Sequence, residues 1–470
     1  MIFTRILATL AMAAGLTTGG MSEAVRWQGC PNGLPAPLEC TSVEVPMDYG
    51  DPGGAKIGIE VSRLKATGRR RGVLLMNPGG PGSPGIQMPL QLGRSLPKSV
   101  TDEYDLIGFD PRGTGQSAPV DCGFSTGSID LGGLGGYPAP DGSIAASADR
   151  ARTVARQCVE NSGPDLRYVT TNNTARDMDW IRAALGEAKM SYYGTSYGTY
   201  LGAVYATMFP QRSDRFVLDS VNTPNGLWRS TFLNFGVGMA DRFPDFARWA
   251  AEQDPTLHLG ATPDAVRATY LGLAAQLDTT PLPTKAGPVS GSTFREQTRE
   301  YLYNTATFPY LAQLWQAVKA GDSDAVQINP SIQLILSGAM AIWCNDAEWP
   351  HDLATYQRDV LRDRQQYPLT AGMPAGVVPC VFWPYRPAEP PTRITDRGPS
   401  NILLAQNERD PATPLRGAME MRRALGARAR MVTANAGGHG AYLMTGNACL
   451  DGVVTAFLTD GTRPENDVRC

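Results

Sequence analysis

The run Lys189 to Gly202, KMSYYGTSYGTYLG, limits the fold more than any other stretch of the chain. It reads as a β-prone segment, a sharp turn and an apolar helix, with Ser196 at the apex between Gly194 and Gly198. A side chain at either glycine would crowd a turn tight enough to lift the serine oxygen clear of the backbone, so the G-x-S-x-G spacing makes Ser196 the candidate nucleophile. The same pattern recurs at Gly123-Phe124-Ser125-Thr126-Gly127, where a Gly-, Ser- and Pro-rich stretch follows instead of a helix. Ser125 therefore reads as a loop serine.

A serine hydroxyl needs a positioned base, and the base needs an orienting carboxylate. The chain has three histidines, His258, His351 and His439. The first two fall in a helical stretch and the segment returning from it, whereas His439 stands in Gly437-Gly438-His439-Gly440 after the strand-like Ala429 to Thr433. Asp410 follows the apolar run Asn401 to Gln406, and Asp219 follows Arg215 to Leu218. Both can serve as the acid, and the order Ser196, Asp410, His439, each behind a strand, favours Asp410.

The continuous apolar run Gly72 to Met76 reads as a strand buried on both faces of a parallel sheet, and Lys56 to Leu64 alternates as an early antiparallel strand does. Behind Met76 comes Asn77-Pro78-Gly79-Gly80-Pro81-Gly82-Ser83-Pro84-Gly85, which forbids helix and presents backbone N–H groups at the strand end. Gly80, with Gly79 next, and Tyr197 are the expected donors to a developing oxyanion. Asp110 and Arg112, after Leu106 to Phe109, are expected to pair and brace that loop. Thr171 or Asn172 is expected to cap a helix carrying Met178, Ile181 and Leu185 and stopped at Gly186.

At 470 residues, 42% hydrophobic and 19% charged, the chain can bury a large core. A net charge of -3 and a pI near 5.8 leave no basic field for nucleic acid or an anionic membrane. Arg5 followed by the apolar run Ile6 to Leu16 reads as a signal peptide cleaved between Gly19 and Ala24, too short to span a bilayer. No membrane association is expected after cleavage. Eight cysteines agree with an oxidising destination, and their order suggests pairing of neighbours: Cys30 with Cys40, Cys122 with Cys158, Cys344 with Cys380, and Cys449 with Cys470. With no close C-x-x-C pair, neither a metal nor a cofactor is expected.

These features define an α/β fold with a mostly parallel sheet, divided into a signal at 1–24, core at 25–221, an inserted helical cap at 222–346, a largely looped return at 347–400 and core again at 401–470. Asn77 to Gly85, Asp110 to Ser117, Gly194 to Gly198, Cys344-Asn345-Asp346, Asp410 to Pro414 and Gly438-His439 together resemble the secreted actinobacterial tripeptidyl aminopeptidases, relatives of the proline iminopeptidases. The likeness runs from about Cys30 to the C-terminus and departs from the family at Ser83-Pro84-Gly85, where a Gly-Ser-Gly run is expected. It implies an α/β-hydrolase with a helical cap that releases residues from free N-termini, with Ser196, Asp410 and His439 as the triad. Carboxylates on a cap can hold a substrate ammonium at a fixed distance from the serine, and Asp346 and Glu348 are the candidates. The alternatives are an esterase or lactonase on the same fold, acting on a small molecule, and a binding protein on a retired hydrolase scaffold.

Overall fold

A computed structural model describes residues 25–31, 33–124, 136–224, 228–285, 287–326 and 333–470. The expected signal segment and Ser125 lie outside the described residues. Ten strands form one sheet: β1 (Gln28–Gly29), β2 (Glu39–Pro46), β3 (Lys56–Leu64), β4 (Gly72–Asn77), β5 (Tyr104–Phe109), β6 (Met190–Thr195), β7 (Ser213–Asp219), β8 (Ile402–Arg409), β9 (Ala429–Gly437) and β10 (Val468–Arg469). Their order is β1-β2-β3-β5-β4-β6-β7-β8-β9-β10. The pairs β1 to β2, β2 to β3 and β3 to β5 are antiparallel, and every pair from β5 to β10 is parallel.

The apolar runs become central strands because helices cover both faces of the sheet. Along β4, Val73 and Leu75 enter one core while Leu74 and Met76 enter the other. The first core is closed by α1 (Ala145–Ser162), α2 (Thr171–Ala184), α3 (Tyr197–Met208) and α10 (Leu415–Leu425), and the second by α11 (Ala448–Asp460). The cap of α2 is Thr170, whose hydroxyl accepts from Asn173 N, rather than Thr171 or Asn172. The Thr171 hydroxyl is committed elsewhere, to Asp346.

Between β7 and β8 the chain inserts a helical body: α4 (Arg229–Glu252), α5 (Pro263–Thr279), α6 (Gly291–Tyr301), α7 (Phe308–Ala320), α8 (Gln333–Asp346) and α9 (Leu353–Gln366). It has its own core, in which Trp315 packs against Tyr270 at 5.3 Å and Phe246 at 5.0 Å between ring centroids. The return segment, expected to be largely looped, opens with α9, because Asp352 caps it and Tyr356 and Val360 bury one face. Four disulfides join the neighbouring cysteines as anticipated, and Cys344–Cys380 ties the last turn of α8 to the returning chain.

Arg112 does not pair with Asp110. Its guanidinium grips Asp177 on α2 through two bonds of 2.7 and 2.6 Å, and its other donors reach the carbonyls of Pro46, Met47 and Tyr168. Asp110 instead accepts from the backbone N–H groups of Gly85, Ile86 and Gln116. The reason is direction. Asp110 faces the loop after β4, while Arg112 turns toward β2 and α2.

Both partners of the Arg112–Asp177 pair are fully enclosed, and removing one strands a charge in a low-dielectric interior. Asp177→Ala is expected to lower the unfolding free energy by ~3–5 kcal/mol in urea titrations. The double variant Arg112→Met, Asp177→Leu should recover much of that loss; a single variant as stable as the parent would contradict this account.

Candidate active site

Ser196 sits where β6 turns into α3, at φ 59° and ψ -123°. This backbone is strained by about 1–3 kcal/mol for a non-glycine residue and persists only where its surroundings dictate it. Here they do. A Cβ on Gly194 would lie 2.5 Å from the Gly198 carbonyl, and one on Gly198 would lie 2.8 Å from Asn77 Oδ1. The Ser196 N–H donates to the Asp219 carbonyl at 3.0 Å, and Thr199 N donates to the Ser196 carbonyl at 2.9 Å.

His439 lies two residues beyond β9. Its loop is pinned from two strands: Ala441 N and Tyr442 N donate to the Asp219 carboxylate at 2.7 and 3.0 Å, and Gly440 N donates to Ser220 Oγ at 2.7 Å. Asn407 Nδ2 donates to the carbonyls of Gly438 and Gly440. His439 Nδ1 is 3.0 Å from both oxygens of Asp410. That carboxylate is fully buried and also accepts from Ala412 N, Thr413 N and Thr413 Oγ1. Asp410, not Asp219, is thus the acid bonded to the imidazole, and Asp219 holds the loop that carries it. Burial works to lower the His439 pKa, but Asp410, with Asp219 and Glu300 behind it, outweighs burial and holds it above the ordinary value. Such a contact leaves Nε2 as the nitrogen able to exchange a proton.

Of the two candidate loop donors, Gly79 N is already committed to Asn77 Oδ1 at 3.0 Å. Gly80 lines the chamber that holds Ser196. Gly79 itself lies against the turn: a Cβ there would be 2.5 Å from Thr195 O and 2.9 Å from Ser196 Cβ. Tyr197 opens α3, where the first N–H groups have no acceptor within the helix. Asp110 supports this loop from behind through Gly85 and Ile86.

Ser196 and His439 share a chamber of about 290 Å³. Much of its wall is apolar, including Phe232, Phe235, Met340, Trp343 and Val378. Its charged lining is Glu296, Arg299 and Glu300, all on α6. Arg299 grips Glu296 (2.6 Å), reaches Glu300 and donates to Tyr303 Oη at 2.6 Å. Two carboxylates against one guanidinium leave a formal charge of about -1, and burial raises the Glu300 pKa against the pull of Arg299. Tyr303 lines the chamber beside His439, with its ring 5.0 Å from the imidazole and its carbonyl accepting from His439 N at 2.7 Å.

Asp346 and Glu348 are not part of this chamber. The last turn of α8 aims Asp346 at α2, where it accepts from Thr171 N at 2.7 Å and Thr171 Oγ1 at 2.6 Å. Burial, partly offset by Thr171, pushes the Asp346 pKa up to about 7. Thr171 Oγ1 also bonds Tyr197 Oη at 2.9 Å, so Asp346 braces the turn from below. Glu348 lies past the helix end and is exposed. The carboxylates that do line the chamber, Glu296 and Glu300, were missed because a charged helix face reads as solvated. Their four-residue spacing, which puts both on one face, was the available signal. His258 and His351 also lie outside the chamber, and His351 Nδ1 is 2.8 Å from the Val381 carbonyl.

Residues 367–470 match the family model described as TAP-like protein. The chain is 36% identical over 467 residues to a tripeptidyl aminopeptidase of Streptomyces lividans, covering 95% of this chain and 86% of that protein. It is 30% identical over 483 residues to the serine protease Hip1 of Mycobacterium tuberculosis, covering 96% and 91%. It is also 30% identical over 495 residues to a carboxylesterase B of Mycobacterium tuberculosis, covering 98% and 93%. A strained serine between two glycines on a mostly parallel sheet, a histidine bonded to a buried aspartate in the same chamber, and likeness over nearly the whole length lead to one conclusion: the chain belongs to the tripeptidyl aminopeptidase family of α/β-hydrolases and is a serine hydrolase.

Proposed function

We propose that this chain is an exported serine aminopeptidase that cleaves amide bonds near free peptide N-termini through an acyl-enzyme. One observation carries the reading: the chamber that holds Ser196 and His439 also holds the Glu296–Glu300 pair against a single guanidinium, so a substrate ammonium would balance the second carboxylate and favour its ionised form. His439 takes the proton from Ser196 Oγ as it attacks the carbonyl carbon, while Asp410 keeps the imidazole oriented and stabilises its charged form. The developing oxyanion accepts from the N–H groups of Gly80 and Tyr197. His439 then protonates the leaving amine, and water, deprotonated by the same nitrogen, releases the acyl group.

In this reading the helical insertion acts as a cap: α6 supplies the carboxylates and the apolar wall receives the substrate side chains. The four disulfides and the N-terminal apolar run support export. An esterase is the second reading, favoured by the likeness to carboxylesterase B. The carboxylate pair supports the first reading, since a neutral ester has no group for it.

Ser196→Ala is expected to reduce kcat by roughly a millionfold, and near-parental turnover would require another nucleophile. Because His439 must be neutral to act as a base and its pKa is held above the ordinary value, activity should fall as pH drops through a midpoint above 6.5. Asp410→Asn should move this midpoint downward while lowering kcat by roughly 10⁴-fold; an unmoved acid limb would count against Asp410. Peptide amides with free N-termini should be cleaved at least roughly tenfold better than their acetylated forms, and Glu300→Gln should erase most of the difference. Equal cleavage of free and acetylated peptides by the parent, or cleavage of aryl esters alone, would overturn the aminopeptidase reading.

A further inference from the structure

His439 and Tyr303 also belong to the wall of a second, larger cavity of about 600 Å³, so the two spaces meet at this pair of residues. The two spaces carry opposite charge. In the second, Arg242, Arg248 and Arg409 all converge on the single carboxylate of Asp245. With Glu252 on the rim counted as a second negative group, three guanidinium groups still leave one positive charge. Trp249, Phe308 and Met444 add apolar surface beside it.

We propose that this cavity binds the departing part of the substrate by its carboxylate, as a site for short peptides whose C-terminus lies close to the cleaved bond. The inference rests on the aminopeptidase reading. The acyl part, ending in an ammonium, occupies the chamber of charge -1. The amine released from it receives its proton from His439, so the departing segment begins at the residue that both spaces share. A short peptide is a zwitterion, and the two cavities reproduce its polarity in the order that cleavage requires: carboxylates on the acyl side, arginines on the leaving side.

The three arginines are not equivalent. Arg242 is nearly enclosed and spends its donors on Leu302 O, Thr305 Oγ1 and Asp245. Arg409 joins the end of β8 to α4 through Asp245 and also donates to Asn435 Oδ1. These two fasten the helical insertion to the sheet. Arg248 is 55% exposed, shares α4 with Asp245, and among the described residues donates only to it, through Nη2. It is therefore the arm that can turn to a ligand without loosening the clamp.

The test uses two peptides identical up to and including the leaving residue, one ending in a free carboxylate and one in a carboxamide, both with free N-termini. The full-length enzyme should show kcat/KM roughly tenfold higher for the carboxylate, a preference that shrinks as salt is raised. In Arg248→Ala the ratio should fall toward one, and in Arg248→Glu below one. A purely structural role for Arg248 would change both peptides by the same factor. A ratio near one in the parent enzyme, or a ratio that Arg248→Glu leaves in place, overturns the proposal while the aminopeptidase reading stands. If neither peptide is cleaved, the reading and the proposal fall together.

Discussion

Asp219 is the residue on which the geometry of the site depends. Its backbone carbonyl accepts the N–H of Ser196, and its carboxylate accepts from Ala441, Tyr442 and Tyr193 Oη. A single position at the end of β7 thus ties the serine turn to the histidine loop. Burial raises its pKa, opposed by the hydrogen bonds it accepts and by nearby His439, and those bonds offset part of the desolvation of the carboxylate. The parallel sheet makes the arrangement possible, because β6, β7, β8 and β9 run the same way and deliver Ser196, Asp219, Asp410 and His439 to one edge.

Around that edge the charges are sorted in space. The chamber reached by Ser196 has carboxylates in slight excess, the open cavity beyond His439 has arginines in excess, and Tyr303 with His439 forms the seam between them. The carboxylates of the first wall come from α6; in the second, Arg242, Asp245 and Arg248 come from α4 and Arg409 from the end of β8. In the proposed mechanism the sheet supplies the reacting groups and the insertion supplies the field in which a substrate is oriented. Arg409, one residue before Asp410, joins the two bodies through Asp245.

Much of the core was legible without coordinates. The apolar runs ending at Met76, Phe109, Leu218 and Gln406, the glycine-flanked serine and the helix stopped at Gly186 are local signals, in which turn chemistry and periodicity act over a few residues. What the sequence concealed were partnerships. Arg112 looked like a partner for nearby Asp110 but reaches Asp177, and Asp346 looked like a substrate group but belongs to Thr171 and the underside of the turn. The short edge strand β10 escaped notice because two residues carry no period.

The sequence by itself determined the elements, their order and the chemical types behind them: a strand, a strained serine and a helix, then an aspartate and a histidine each following its own strand. These are consequences of backbone sterics and side-chain periodicity, which need no knowledge of distant residues. Tertiary packing settled that Asp410, which the chain order already favoured, meets His439, and it alone decided which carboxylates line the chamber and which arginines gather in the cavity beside it. The two linings depend on the angle at which the helical insertion docks on the sheet. That angle follows from the complementarity of many buried side chains at once, and no short stretch of the chain encodes it.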